Sequence, residues 1–183
     1  MDRKAEAQFR ELVLCHVDLV YRIAFKLSGN AHEAEDLTQE TCLRAYRSFD
    51  QFELRDYGAK PWLLKILYNV FLNSRSQTSR APSLLSDLSL DDFEAELSRE
   101  MIPSLSDGRM NWEGFDEELK KAIDALSPDY RAVLLLWALG DMTYKEIGQV
   151  LGCAIGTVMS RLHRARQQLN EQLADYAARR GIR

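Results

Sequence analysis

The 183-residue sequence lacks any run of about 18 apolar residues, the length a membrane-crossing helix requires. Its N-terminal stretch, "MDRKAEAQFRELV", mixes charged with apolar residues where a signal peptide would carry an apolar core. A chain of this kind is expected in the cytoplasm, without membrane insertion. Cysteine is scarce: Cys15, Cys42 and Cys153 are far apart, odd in number and form no C-x-x-C pair, which argues against a disulfide framework and a zinc site. They read as small packing residues. His16, His32 and His163 form no ligand cluster, so no metal and no cofactor is expected. Strand-like alternation is also missing, which leaves an all-α fold.

A hydrophobic content of 46% is ordinary for a folded chain with one or two compact cores. The net charge of −4 is unevenly spread: residues 1–75 are neutral, 76–118 carry −8 and 119–183 carry +4. The acidity belongs to the middle, so a basic C-terminal surface remains available for nucleic acid.

Apolar residues from Phe9 through Val13, Val17, Val20, Ile23 and Leu27 recur at helical spacing and predict one first helix, ended by Gly29. Asn30 with Glu33 is a capping-box-like start for a second helix through about Arg47. The aromatic loop "SFDQFELRDYGAK" then leads to Pro61 and a third helix, Trp62 to about Arg75. From Ser76 to Asp116 the composition turns to Ser, Asp, Glu, Leu and Pro, apart from a short helical pattern in "LDDFEAELSRE"; this is a linker. Beyond it, "LSPDYRAVLLLWALG" offers Ser127 as cap, Pro128 at the first position and Gly140 as stop. "MTYKEIGQVLG" offers a capping box from Thr143 to Glu146, and a last helix starts near Ala154.

A capped helix, a short turn with Gly152 and an amphipathic helix make a helix-turn-helix pattern, whose second helix enters the DNA major groove. At about 100° per residue Ile155, Val158, Leu162, Ala165 and Leu169 share the buried face. Thr157, Ser160, His163, Arg164 and Gln167 lie opposite, with Arg161 and Arg166 flanking. Arginine can bond guanine with two donors, while flanking arginines and hydroxyls suit phosphates. A basic helix alone is commonly just a solvated face; the preceding cap and turn tip the balance towards nucleic acid.

In the second helix the same angular count buries Ala34, Leu37, Thr41 and Ala45. It sends Asp36, Gln39, Glu40, Leu43 and Arg47 outward, an apolar centre within a polar rim, as docking surfaces have. A single exposed leucine is also ordinary decoration. The third helix leaves Trp62, Lys65, Asn69 and Asn73 outside, and the preceding loop adds Phe49, Phe52, Tyr57 and Lys60. Asparagine can pair with adenine and aromatics can stack on unpaired bases, so this side fits single-stranded nucleic acid. Taken singly, each aromatic is equally a core filler.

These segments resemble the extracytoplasmic-function (group 4) sigma factors of the sigma-70 family. "EAEDLTQETCLRAYRSF" resembles their region 2.2, "KPWLLKILYNVFLNSR" regions 2.3 to 2.4, and "LSPDYRAVLLLWALGDMTYKEIGQVLGCAIGTVMSRLHRARQQL" region 4. The resemblance implies two small helical domains joined by an acidic linker: region 2 in residues 1–75, the linker in 76–116 and region 4 in 117–183. It implies an alternative sigma factor that directs transcription initiation and catalyses nothing itself. By resemblance, Asp36, Gln39, Glu40, Leu43 and Arg47 dock on the clamp helices of the RNA polymerase β′ subunit. Phe49, Phe52, Tyr57, Lys60, Trp62, Lys65, Asn69 and Asn73 bind the opened minus-10 element. Thr157, Ser160, Arg161, His163, Arg164 and Arg166 read the minus-35 duplex. The partners implied are core polymerase, promoter DNA and an anti-sigma factor of a stress response, with no small-molecule substrate. Met159 departs from the basic residue many members carry there.

The linker, 41 residues from 76 to 116, spans roughly 35 Å as a flexible chain and about 135 Å extended, enough for DNA elements several turns apart. The resemblance implies that it threads a polymerase channel and mimics RNA charge there; its composition reads equally as a solvated tether. An ordinary helix-turn-helix regulator would leave the "DLTQE" patch and the Asn69 and Asn73 face unexplained. A helical enzyme would have to use acids such as Asp91 and Asp92, which lie in the linker without a positioned base.

Overall fold

The computed structural model describes residues 3–52, 58–78 and 117–180. Among them the chain forms only helices and turns: α1 (Arg3–Leu12), α2 (Val17–Ser28), α3 (Ala31–Ser48), α4 (Lys60–Thr78), α5 (Glu117–Ala125), α6 (Pro128–Ala138), α7 (Tyr144–Leu151) and α8 (Ile155–Arg180). The all-α expectation holds for these residues. Contacts divide the chain into two units, Met1–Ser83 with Lys145–Gly152, and Leu84–Tyr144 with Cys153–Arg183. The expected division at 75 and 117 is sequential, whereas by contact α7 groups with the N-terminal unit. Most of the expected linker, including the "LDDFEAELSRE" pattern, lies outside the described residues; its first three residues continue α4.

In the first unit, the single first helix expected from periodicity is two. A 3₁₀ turn at Leu14–His16 separates α1 from α2. Three- and four-residue apolar spacing persists through such a tight turn, so Phe9, Val13, Val20, Ile23 and Leu27 all stay buried and the pattern hides the break. Gly29, at φ 72°, ends α2 by donating its N–H to the Phe25 carbonyl at 2.8 Å. Asn30 caps α3, its Oδ1 accepting from the N–H groups of His32 (2.8 Å) and Glu33 (3.2 Å). The backbone N–H of Asn30 donates to Ser28 Oγ at 3.3 Å.

Helices α2, α3 and α4 pack on one another. Leu37, Leu63, Leu64, Leu67 and Phe71 fill the centre. Thr38 and Thr41 are buried too, and each donates its hydroxyl to the carbonyl four residues earlier, Ala34 at 2.7 Å and Leu37 at 2.6 Å. No desolvated donor is stranded there.

In the second unit α8 packs against both α5 and α6. Helix α5, not singled out from the sequence, buries Ala122 and Ile123, and Leu126 follows them into the core. Arg131 of α6 ties the turn between α5 and α6 by donating to the carbonyls of Asp124 and Leu126. Ser127 caps α6 by accepting from the Tyr130 N–H at 3.4 Å, with Pro128 in the first turn as expected. Gly140 follows the end of this helix and donates its N–H to the Leu135 carbonyl at 3.2 Å; a Cβ there would lie 2.5 Å from the Leu136 carbonyl oxygen. The left-handed residue is its neighbour Asp141, at φ 47°. Between α7 and α8 the chain turns through Gly152 at φ 68°.

Candidate nucleic-acid and protein interfaces

The outward face of α3 follows the angular count. Asp36, Gln39 and Arg47 are exposed, and Leu43 is 49% exposed among them. Glu40 is half-buried and ion-paired with Arg44 of the same helix at 2.6 Å. Tyr46, which the sequence did not single out, adds a second apolar group, 47% exposed, its ring edge-on to Phe9 at 5.4 Å. Its three-residue spacing from Leu43 was the available signal.

On α4, Lys65, Asn69 and Asn73 are exposed at four-residue intervals and so form one polar stripe. The aromatics divide differently from the expectation. Phe49 is 7% exposed and packs edge-on against Phe9 at 5.2 Å, so it belongs to the core and no base can stack on it in this conformation. It sits in a 3₁₀ turn that folds back on α1, a contact between residues 40 apart that periodicity cannot reveal. Phe52 and Trp62 are half-buried with their rings 4.5 Å apart, leaving part of each open. Tyr57 lies outside the described residues. Lys60 is half-buried; its charge adds to burial in holding the His16 imidazole below its ordinary pKa.

The arginines of α8 are less available than their number suggests. Val158, Leu162, Ala165 and Leu169 form the buried face as expected, while Ile155, the first residue of the helix, is 48% exposed. Helical side chains lean towards the N-terminus, so a first residue overhangs the face it begins. Arg161, expected as a flanking phosphate contact, is only 8% exposed and donates from Nη2 to Asp129 Oδ2 at 3.1 Å. On the wheel it lies about 60° from Val158 and about 40° from Ala165, at the margin of the buried face, and Asp129 draws it inward.

Arg166, expected in the same role, lies over the Trp137 ring at 4.4 Å. Burial lowers its pKa, and Tyr144, through charge and a side-chain hydrogen bond, acts in the opposite direction. Both arginines brace α8 against the rest of the second unit. Arg164 is half-buried and donates from Nη1 to the Tyr130 hydroxyl at 3.5 Å. Thr157, Ser160 and His163 are half-buried, and the Ser160 hydroxyl donates to the Thr157 carbonyl at 3.1 Å. Nothing local in the sequence marks Asp129, Tyr130 and Trp137, whose partners on α8 lie far along the chain, 32 residues away for Asp129 and 34 for Tyr130.

Among the described residues no His, Cys, Asp and Glu side chains gather into a metal site, and no helix is long and apolar enough to cross a membrane. Burial raises the thiol pKa of Cys42 and, against the opposing charge of Arg161, that of Cys153. They are poor nucleophiles.

Both helical units match families of transcription initiation factors. Residues 12–81 match the model of sigma-70 region 2, and residues 116–169 match that of sigma-70 region 4. The chain belongs to the extracytoplasmic-function sigma factors of the sigma-70 family.

It is 36% identical to the sigma factor SigE of Mycolicibacterium smegmatis over 97% of this chain and 66% of that protein. It is 29% identical to SigW of Bacillus subtilis over 91% and 89% of the respective chains. The sigma factor RpoE of Bartonella quintana, solved with the anti-sigma factor NepR, is 30% identical and superimposes with a TM-score of 0.69, covering 91% of this chain and 97% of that one. CnrH, solved with the cytosolic domain of CnrY, shares the fold with a TM-score of 0.62 at 21% identity, over 93% of this chain and 90% of that one. A match to region 2 over residues 12–81 sets aside the ordinary helix-turn-helix regulator.

Proposed function

We propose that this sigma factor engages core polymerase through the exposed face of α3, with Leu43 entering an apolar site on the β′ clamp helices and Asp36, Gln39, Arg47 and Tyr46 around it. The observation that carries the reading is Leu43, 49% exposed within a polar rim on an otherwise well-packed helix. The Lys65, Asn69 and Asn73 stripe, with Lys60, Phe52 and Trp62 beside it in sequence, contacts the opened minus-10 strand. Thr157, Ser160, His163 and Arg164 contact the minus-35 duplex, Arg164 as the base reader, while Arg161 and Arg166 act as struts. Residues 1–75 and 117–183 are the two functional regions and 76–116 the tether. The protein works in the cytoplasm as an initiation factor and leaves catalysis to the polymerase. An anti-sigma factor restrains it, as the bound state of the Bartonella relative suggests.

Run-off transcription with core polymerase on a promoter library tests the reading. The wild-type protein should stimulate initiation at a subset of promoters. Leu43→Asp should abolish both stimulation and co-purification with core polymerase, with an unchanged circular dichroism spectrum; undiminished binding would sink the α3 docking.

A further inference from the structure

We infer that Tyr130 is a positioning residue for promoter reading, holding the Arg164 guanidinium in the orientation from which it meets a base edge. The inference rests on the proposal that Arg164 reads a base. Tyr130 lies in the first turn of α6, whose start is fixed by the Ser127 cap that receives the Tyr130 N–H. Its hydroxyl accepts from Arg164 Nη1 at 3.5 Å. One residue earlier, Asp129 accepts from Arg161 at 3.1 Å. Two adjacent residues of α6 therefore grip two residues of α8 spaced by nearly one helical turn.

The Asp129–Arg161 pair is mostly buried, with the arginine side chain 9% exposed, and fixes the rotation of α8. The Tyr130–Arg164 bond is farther out and acts on a side chain that keeps solvent access.

The physical argument is one of order. A free arginine side chain samples many rotamers, and that freedom must be lost when it forks onto guanine. A planar guanidinium already anchored at one nitrogen loses less on binding, and the other donors keep a defined direction. The tyrosine hydroxyl thus contributes to discrimination between bases without touching DNA.

The test uses the full chain in complex with core polymerase and compares wild type, Tyr130→Phe, Arg164→Ala and the double variant on duplexes randomised across the minus-35 element. Arg164→Ala should relax one base-pair position. Tyr130→Phe should lower the preference at that same position by about 3- to 10-fold, the range for one lost hydrogen bond. It should leave the salt dependence and the thermal midpoint unchanged, and it should add nothing in the Arg164→Ala background. The inference falls if Tyr130→Phe leaves the preference intact, or if its effect persists without Arg164. If Arg164→Ala relaxes no position, the base-reading role itself is wrong and the inference goes with it.

Discussion

Removing water from a charge is costly, and the Arg161–Asp129 pair makes that cost lopsided. The arginine side chain is 9% exposed and the aspartate side chain 28%, so losing the aspartate strands a more deeply buried charge than losing the arginine does. Asp129→Ala should cost on the order of 3 kcal/mol in urea denaturation, and Arg161→Ala less, since the remaining carboxylate keeps water and lies in the first turn of α6, where the helix dipole favours it. A phosphate contact would behave differently: its loss reduces the salt slope of promoter binding by about 0.9, whereas Arg161→Gln should leave that slope unchanged. A second residue titrates. Burial and Lys60 hold His16 below its ordinary value of 6.5, so the folded state resists protonation more than the unfolded chain does. Stability present above pH 6.5 should decline as pH falls through the folded value, and His16→Gln should flatten that decline in pH-dependent urea midpoints. The Leu43 face was legible in the sequence because it needs only helical geometry. The fate of Arg161 was not, because it depends on a carboxylate on another helix.

Caps and stops made most elements readable. Asn30, Ser127 and Gly29 act through their own local hydrogen bonds, and such bonds are written in neighbouring residues. Gly140 shows the limit of that reading: the helix ends just before it as expected, but the residue is constrained by close approach to the Leu136 carbonyl, and the left-handed backbone falls on Asp141. Gly140→Ala should therefore destabilise by about 1 to 3 kcal/mol through overpacking, measured by thermal unfolding. A neutral result would show that the last turn of α6 yields easily. The break between α1 and α2 leaves no mark in the sequence for a related reason. A 3₁₀ turn preserves the apolar spacing, and Val13 stays fully buried next to the fault.

Across the whole molecule, charge was a better guide than net charge. The chain is −4 overall yet carries +4 in residues 119–183, a stretch that overlaps the segment matching sigma-70 region 4, residues 116–169, and runs beyond it. Part of that positive charge is spent internally, on Asp129 and on the face of Trp137. The family was legible because its motifs are local and follow in order. Which arginines turn into the core was not, since that is decided by three-dimensional packing. The Arg166–Trp137 stack also gives the protein an optical reporter. A cation held 4.4 Å from an indole perturbs its excited state, so the emission of Trp137 registers whether Arg166 is in place. With Trp62 and Trp112 replaced by Phe, adding minus-35 duplex to the full chain alone should leave that emission unshifted if Arg166 remains a strut. A shift on binding would mean that the arginine swings away to meet the DNA, and the unlabelled protein would report the movement in its own fluorescence.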